Sequence, residues 1–179
     1  MGTVKIPIPE LQALVSAVLQ QAGAGAAMAL ATARALVLAE SQGLASHGLS
    51  RVGQYSSHLR NGRANGAAQP RVLRQKGGAL VVDADGGLAF AACDLAVQQA
   101  IAAARQHGVA LAGVVRSHHC GVLVDHLRPV AAAGMVGLGF CQLTSGHGSG
   151  GRATPDFWHQ PGGGGVSAPG CAGRTGRRL

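Results

Sequence analysis

Hydrophobic positions follow two different patterns along this chain of 179 residues. Leu11, Leu14, Val15, Val18 and Leu19 recur at helical spacing behind Pro9, a residue suited to a helix's first turn, and Gly23 and Gly25 end the pattern. The Ala-rich run Ala26–Ser41 carries Met28, Leu30, Leu36, Val37 and Leu38 on more than one face, which predicts a buried helix. A third helix is predicted over about 49–60, closed by the turn-forming pair Asn61 and Gly62. From Arg71 the pattern changes. Leu80, Val81 and Val82 read as a strand ended by Asp85, Gly86 and Gly87. Val97, Ala100, Ile101 and Ala104 mark a helix with Gly108 as its C-cap, and the apolar run 109–115 suits a buried strand. A helix is expected over 122–133 and another buried strand over 135–141. Pro129 inside that helix costs about 3 kcal/mol unless the helix kinks or starts there. Strand, helix, strand, helix, strand in succession predicts an α/β fold with some parallel pairing.

After Gln142 the periodicity stops, and the glycine-rich stretch 143–179 is expected to be a disordered tail. The chain therefore divides into an N-terminal helical segment, 1–70, an α/β portion, 71–142, and the tail, 143–179. Within the tail, Gly146, Gly148 and Gly151 match the spacing of a dinucleotide-binding fingerprint. That motif needs a helix next, which Pro155 and the glycines at 162–165 forbid, so a Rossmann reading is rejected.

Composition narrows the function classes. The net charge is +8, but Arg152, Arg174, Arg177 and Arg178 lie in the tail against Asp156 alone. Before the tail the one dense basic run is Arg60, Arg63, Arg71, Arg74 and Lys76, with few aromatics for base stacking. That run reads as a solvated face able to attract an anionic substrate or cofactor, and no nucleic-acid partner is expected. No window holds about 18 consecutive apolar residues, so no membrane span is expected. The start has no apolar signal region. Cys93, Cys120, Cys141 and Cys171 are widely spaced, as in reduced intracellular thiols, and a cytoplasmic location is expected.

Two clusters carry candidate chemistry. In the first, Ser46 and His47 precede the helix-breaking Gly48, with Arg51 four residues beyond His47. If Gly48 opens a helix, Arg51 projects from its first turn beside His47. A proton carrier and a carboxylate clamp can then face one small molecule, as oxidation of a 2-hydroxy acid requires. On pattern alone, a helix-boundary histidine beside a surface arginine is the commoner arrangement. The second cluster, Ser117 to Gly121, follows a strand and precedes a helix, where ligands bind in open α/β sheets and where cofactor phosphates are welcome. A zinc site from His118, His119, Cys120 and His126 is not expected, because adjacent histidines point apart and no carboxylate is suitably placed.

In this order and separation the two clusters resemble the malate/L-lactate dehydrogenase family, NAD(P)-dependent oxidoreductases without a Rossmann fold. The resemblance covers about 8–142. It is carried by Ser46-His47-Gly48 with Arg51, the turn from Asp83 to Leu88, Ser117-x-His119-x-Gly121, and the segment from Ala131 to Phe140. It implies that 71–142 is part of the family's NAD(P)-binding fold and that the full-length protein is a homodimer. It further implies His47 as proton donor and acceptor, Ser46 as its orienting group and Arg51 as the holder of the substrate carboxylate. His119, Cys120, Gly121, Val122 and Leu123 would line the site of NAD or NADP, and in some members the residue matching His119 is the catalytic base. Cys120 stands where an aromatic is common, and Ala89-Phe90 replaces a usual Gly-Gln pair.

The family continues with a Ser-Pro or Thr-Pro turn, a Gly-Gly and the sequence F-G-T-N-P, none of which is present. Back-translating from Leu143 with permitted codons and dropping one nucleotide yields SPAAMAPVGGPLRIFGTNPVAVAFP, which restores them all. The GGC beneath Trp158-His159 is forced by the genetic code. A one-nucleotide frameshift near Leu143 is therefore expected, with the tail out of frame. The leading reading is an enzyme moving hydride between NAD(P) and a small 2-hydroxy or 2-keto acid. The alternative is an inactive truncated fragment, at most a binding or dimerising module. A basic nucleic-acid binder is the weakest.

Overall fold

A computed structural model describes residues 5–141. Three helices come first: α1 (Ile8–Gln21), α2 (Ala26–Ser41) and, after a single 3-10 turn at Ala45–His47, α3 (Arg51–Arg60). Pro9 lies in the first turn of α1, where its missing N–H would have had no helical partner. Val15 and Leu19 of α1 pack with Met28, Ala29, Ala33, Leu36 and Val37 of α2, which buries one face only: Leu30 and Leu38, expected to be buried, are exposed because no other described element covers them. Tyr55 and Leu59 close this core from α3.

Next come β1 (Arg71–Lys76), β2 (Ala79–Asp83), α4 (Phe90–His107), β3 (Leu111–Val115) and α5 (Leu123–Ala132). The strands form one sheet in the order β1-β2-β3. β1 and β2 pair antiparallel, with an irregularity between Val72 and Arg74, while β2 and β3 run parallel with Val82 opposite Val114. α4 makes the crossover and packs its alanines, Ala92, Ala96 and Ala103, on Leu80 and Val82. Its left-handed C-cap is Gly108. Leu88 and Phe90, at the entrance to α4, belong to the helical core, so the sheet is joined to α1–α3 by shared apolar packing.

The α/β class and the parallel pair match the sequence reading, but β3, expected to be buried, has no buried residue: Ala112 and Val114 pack toward the α4 side, while Leu111 and Val115 are 74% and 40% exposed. The first strand, β1, was not foreseen. All six of its residues are exposed, so it lacks the alternation that marks a half-buried strand. The strand expected at 135–141 joins no ladder among the described residues. The segment keeps a period of two: Gly137 lies against Leu127 and Val130 of α5, and Gly139 against Leu123. Val136, Leu138 and Phe140 face outward, at 91%, 81% and 76% exposure. The helix α3 starts at Arg51 rather than at Gly48, and α5 continues past Pro129 to Ala132. No helix among the described residues is long and apolar enough to cross a membrane. The tail expected to be disordered, 143–179, lies outside the described residues.

At the carboxyl ends of β2 and β3 the Asp83 carboxylate is buried and receives two hydrogen bonds from Arg116, Nε to Oδ1 at 2.8 Å and Nη2 to Oδ2 at 2.6 Å. The Asp85 amide donates to Oδ1 at 2.9 Å. Arg116, followed chiefly by that amide, holds the Asp83 carboxyl down to about 2. A depressed folded-state value means that the unfolded chain binds the proton first. The stabilisation is complete above the ordinary carboxylate value near 4 and is lost as pH falls through about 2. Asp83→Asn should lower the melting temperature at neutral pH and flatten the loss of stability between those limits, as read by thermal denaturation across a pH series.

Candidate active site

The first half of the site is the turn between α2 and α3. Glu40, near the end of α2, accepts the Leu49 amide at 2.8 Å, which folds 42–50 back on the helix. A Cβ at Gly48 would run into the Glu40 carboxylate, so the tight return needs glycine there. Within the turn, Ser46 Oγ and His47 Nδ1 are 3.0 Å apart. Arg51, the first residue of α3, donates through Nε to the Ser46 carbonyl at 2.6 Å and through Nη1 to Gln54 Oε1 at 2.8 Å. The guanidinium is thereby braced along the turn that presents His47.

The second half is the loop between β3 and α5. Arg116 opens it in a left-handed conformation, φ +52°, uncommon for a residue with a side chain. Its carbonyl accepts the Gly86 amide at 2.8 Å, and the His118 amide donates to Gly87 at 3.2 Å. The two histidines then diverge, as expected of neighbours on an extended chain. His118 meets His58 of α3 with ring centroids 5.9 Å apart, and His119 meets His47 at 5.6 Å. His119 Nδ1 lies 3.0 Å from the Tyr55 hydroxyl and accepts the Gly121 amide at 3.1 Å. Gly121 has φ +73°, and a Cβ on it would press on the Phe90 ring at 2.8 Å, so the bend that aims its amide at His119 requires glycine.

Of the sequence-predicted residues, the fold thus brings Ser46, His47, Arg51 and His119 together. The others sit differently. Cys120 gives its carbonyl to His126 Nε2 at 2.7 Å, and burial pushes its thiol up, so it is no ready nucleophile. Val122 is the N-cap of α5, and Leu123 packs at Gly139. Asp125, in the first turn of α5, is paired with Arg128 at 2.7 Å and receives Gln42 Nε2 at 3.1 Å. It sets a carboxylate where a phosphate was expected.

Tyr55 is the member of this cluster that sequence reasoning missed. It is the chain's single tyrosine, and it stands four residues after Arg51, hence on the same helix face. That spacing was the available signal. Tyr55 is 2% exposed, and burial pushes its hydroxyl up to about 12 against the opposing pull of Arg51. Burial likewise holds His119 below the ordinary imidazole value, helped by the positive charge of Arg51 and by His47. Around neutrality the centre is therefore a neutral His119 hydrogen-bonded to a protonated tyrosine, beside a fixed cation and a second imidazole.

The chain has relatives of known sequence and structure. The chain is 39% identical over 140 residues to a (2R)-3-sulfolactate dehydrogenase (NADP(+)) of Chromohalobacter salexigens. It is 36% identical over 135 residues to a Delta(1)-pyrroline-2-carboxylate/Delta(1)-piperideine-2-carboxylate reductase of Pseudomonas putida. These matches take in 78% and 75% of this chain but only 42% and 40% of the relatives, so the chain spans about two fifths of their length. The fold matches the solved malate dehydrogenase of Pyrococcus horikoshii with a TM-score of 0.69 at 26% identity, over 74% of this chain and 38% of that one. The family described as malate/L-lactate dehydrogenase matches residues 6–147. With Ser46, His47, Arg51 and His119 all inside that span, the chain belongs to the malate/L-lactate dehydrogenase family.

Proposed function

We propose that this sequence encodes an oxidoreductase that moves hydride between NAD or NADP and a small 2-hydroxy or 2-keto acid. The observation that carries the reading is the convergence of His47, Arg51 and His119, from segments about seventy residues apart, on one spot between α3 and the 116–122 loop. Arg51 would hold the substrate carboxylate, its planar fork matching two oxygens at once. His47 would exchange the proton of the substrate oxygen, with the Ser46 hydroxyl steadying its ring. Sulfolactate and the cyclic imine carboxylates named for the two relatives share a carboxylate beside the reacting carbon, which suits such a clamp.

Those relatives are named for NADP(+) and for reductase activity, and the loop residues His119, Cys120, Gly121, Val122 and Leu123 would hold the cofactor. Their donors are imidazole and backbone groups. With Asp125 in the first turn of α5, they fit the nicotinamide amide of the dinucleotide better than its phosphates. A bound nicotinamide would supply or remove the hydride at the carbon bearing the oxygen. The protein takes up or returns the accompanying proton. The same reading makes the full-length protein a cytoplasmic homodimer without nucleic-acid or membrane partners.

We further infer a one-nucleotide frameshift near Leu143. What supports this is that the family match stops at residue 147, inside the chain and within a few residues of Leu143. In this reading the 179-residue chain is inactive by itself, and the restored frame carries the activity. Sequencing the gene across the codons for Gln142 and Leu143 tests it directly, and turnover by the 179-residue chain would count against it.

Cofactor absorbance with a panel of 2-hydroxy and 2-keto acids tests the activity of the frame-restored protein. In that protein His47→Ala should lower kcat by roughly 10²–10⁴-fold, the usual worth of a positioned acid–base group. Near-normal turnover would remove His47 from proton transfer. Arg51→Lys keeps the charge and loses the fork, so KM for the acid should rise while cofactor affinity hardly moves. Weakened cofactor binding would instead assign Arg51 to a phosphate.

A further inference from the structure

The two histidines of the centre are held by different kinds of partner. His47 Nδ1 faces the Ser46 hydroxyl, which can donate or accept, so His47 keeps its partner whether or not that nitrogen carries a proton. His119 Nδ1 faces the Gly121 amide, and a backbone N–H can only donate. That bond requires a lone pair on Nδ1 and leaves the ring proton on Nε2. The Tyr55 hydroxyl, 3.0 Å from the same nitrogen and buried with its ring, can serve the lone pair as a second donor.

We propose that Tyr55 is a positioning residue which, with the Gly121 amide, locks His119 as the neutral Nε2–H tautomer, so that His119 donates a hydrogen bond to the substrate oxygen and leaves proton exchange to His47. For the substrate oxygen this rests on the dehydrogenase reading above. For the tautomer it rests on Tyr55 and Gly121 alone. A second proton on His119 would have to go to Nδ1, where it would expel the Gly121 amide and reverse the Tyr55 contact, the ring then donating to the hydroxyl. It would also bring a positive charge beside Arg51 and His47, next to the buried Tyr55. In oxidation the hydroxyl proton would pass to His47 as C–O becomes C=O, and a nicotinamide held by the 119–123 loop would be the acceptor of the hydride from the same carbon. In reduction protonated His47 returns the proton to oxygen. In both directions the His119 Nε2–H steadies negative charge on that oxygen without changing its own protonation, the use to which enzymes put a neutral imidazole as an electrophile.

The test is imidazole nitrogen NMR on the ¹⁵N-labelled 179-residue chain, with His119 assigned by the signals missing from His119→Gln. The expected spectrum has the His119 proton on Nε2 at neutral pH and a titration below the ordinary histidine value of about 6.5. Tyr55→Phe preserves the packing and removes the hydroxyl that faces Nδ1, so the His119 titration should move. A proton on Nδ1, a charged His119 at neutral pH, or a His119 titration that Tyr55→Phe leaves unchanged would overturn the proposal. The readout does not depend on turnover. The expected spectrum without dehydrogenase activity in the frame-restored protein upholds the lock and removes only the functional reading. Activity with His119 protonated on Nδ1 removes only the lock.

Discussion

Asp83 and Arg116 form the contact on which the rest of this fold turns. β2 and β3 are parallel neighbours, so both chains leave the sheet at the same edge and must there be sent in different directions. A carboxylate buried at that edge is costly unless its oxygens are occupied, and Arg116 and the Asp85 amide occupy them. The same bonds hold two residues with side chains in left-handed conformations, Asp85 at φ +54° and Arg116 at φ +52°. Such conformations persist only where the surroundings over-determine them. One turn then carries the chain into α4, and the other throws the 116–122 loop back toward α3.

That redirection explains how a helical segment and a strand-end loop build one centre. Leu88 and Phe90 follow the first turn directly and enter the core of α1–α3, with the Phe90 ring 6.0 Å from that of Tyr55. Phe90 also backs Gly121, so the ring that ties α4 to the helical core shapes the bend of the loop. Tyr55 is buried beneath the loop and needs a partner for its hydroxyl, which His119 supplies. Packing and polar satisfaction thus converge on the same few side chains, and the geometry between His119 and His47 follows from both.

Much of this was legible from local signals. Helix α2 was read at its observed bounds, because a run of alanine and leucine between glycines leaves few alternatives. The parallel pair followed from a strand, a helix with a glycine cap and a second apolar strand. Strand β1 was hidden because neither of its faces is buried, so no periodicity could reveal it. The segment 135–141 shows the converse: its period of two is real, with glycines on α5 and large apolar groups outward, but a ladder needs a neighbouring strand, and periodicity cannot provide one.

The sequence by itself determined the helices, the capping glycines, the α/β class and the two clusters around His47 and His119, all of which rest on interactions within a few residues. The tertiary structure alone decided that these clusters face each other, that the exits of β2 and β3 are pinned through Asp83, and that Tyr55 and the Gly121 amide select the nitrogen on which His119 carries its proton. The reason is the range of the forces involved. Helix propensity and hydrophobic period act over one or two turns and leave their mark in neighbouring residues. A hydrogen bond between residues 64 apart in sequence exists only once the sheet and the helical core have brought them within 3.0 Å.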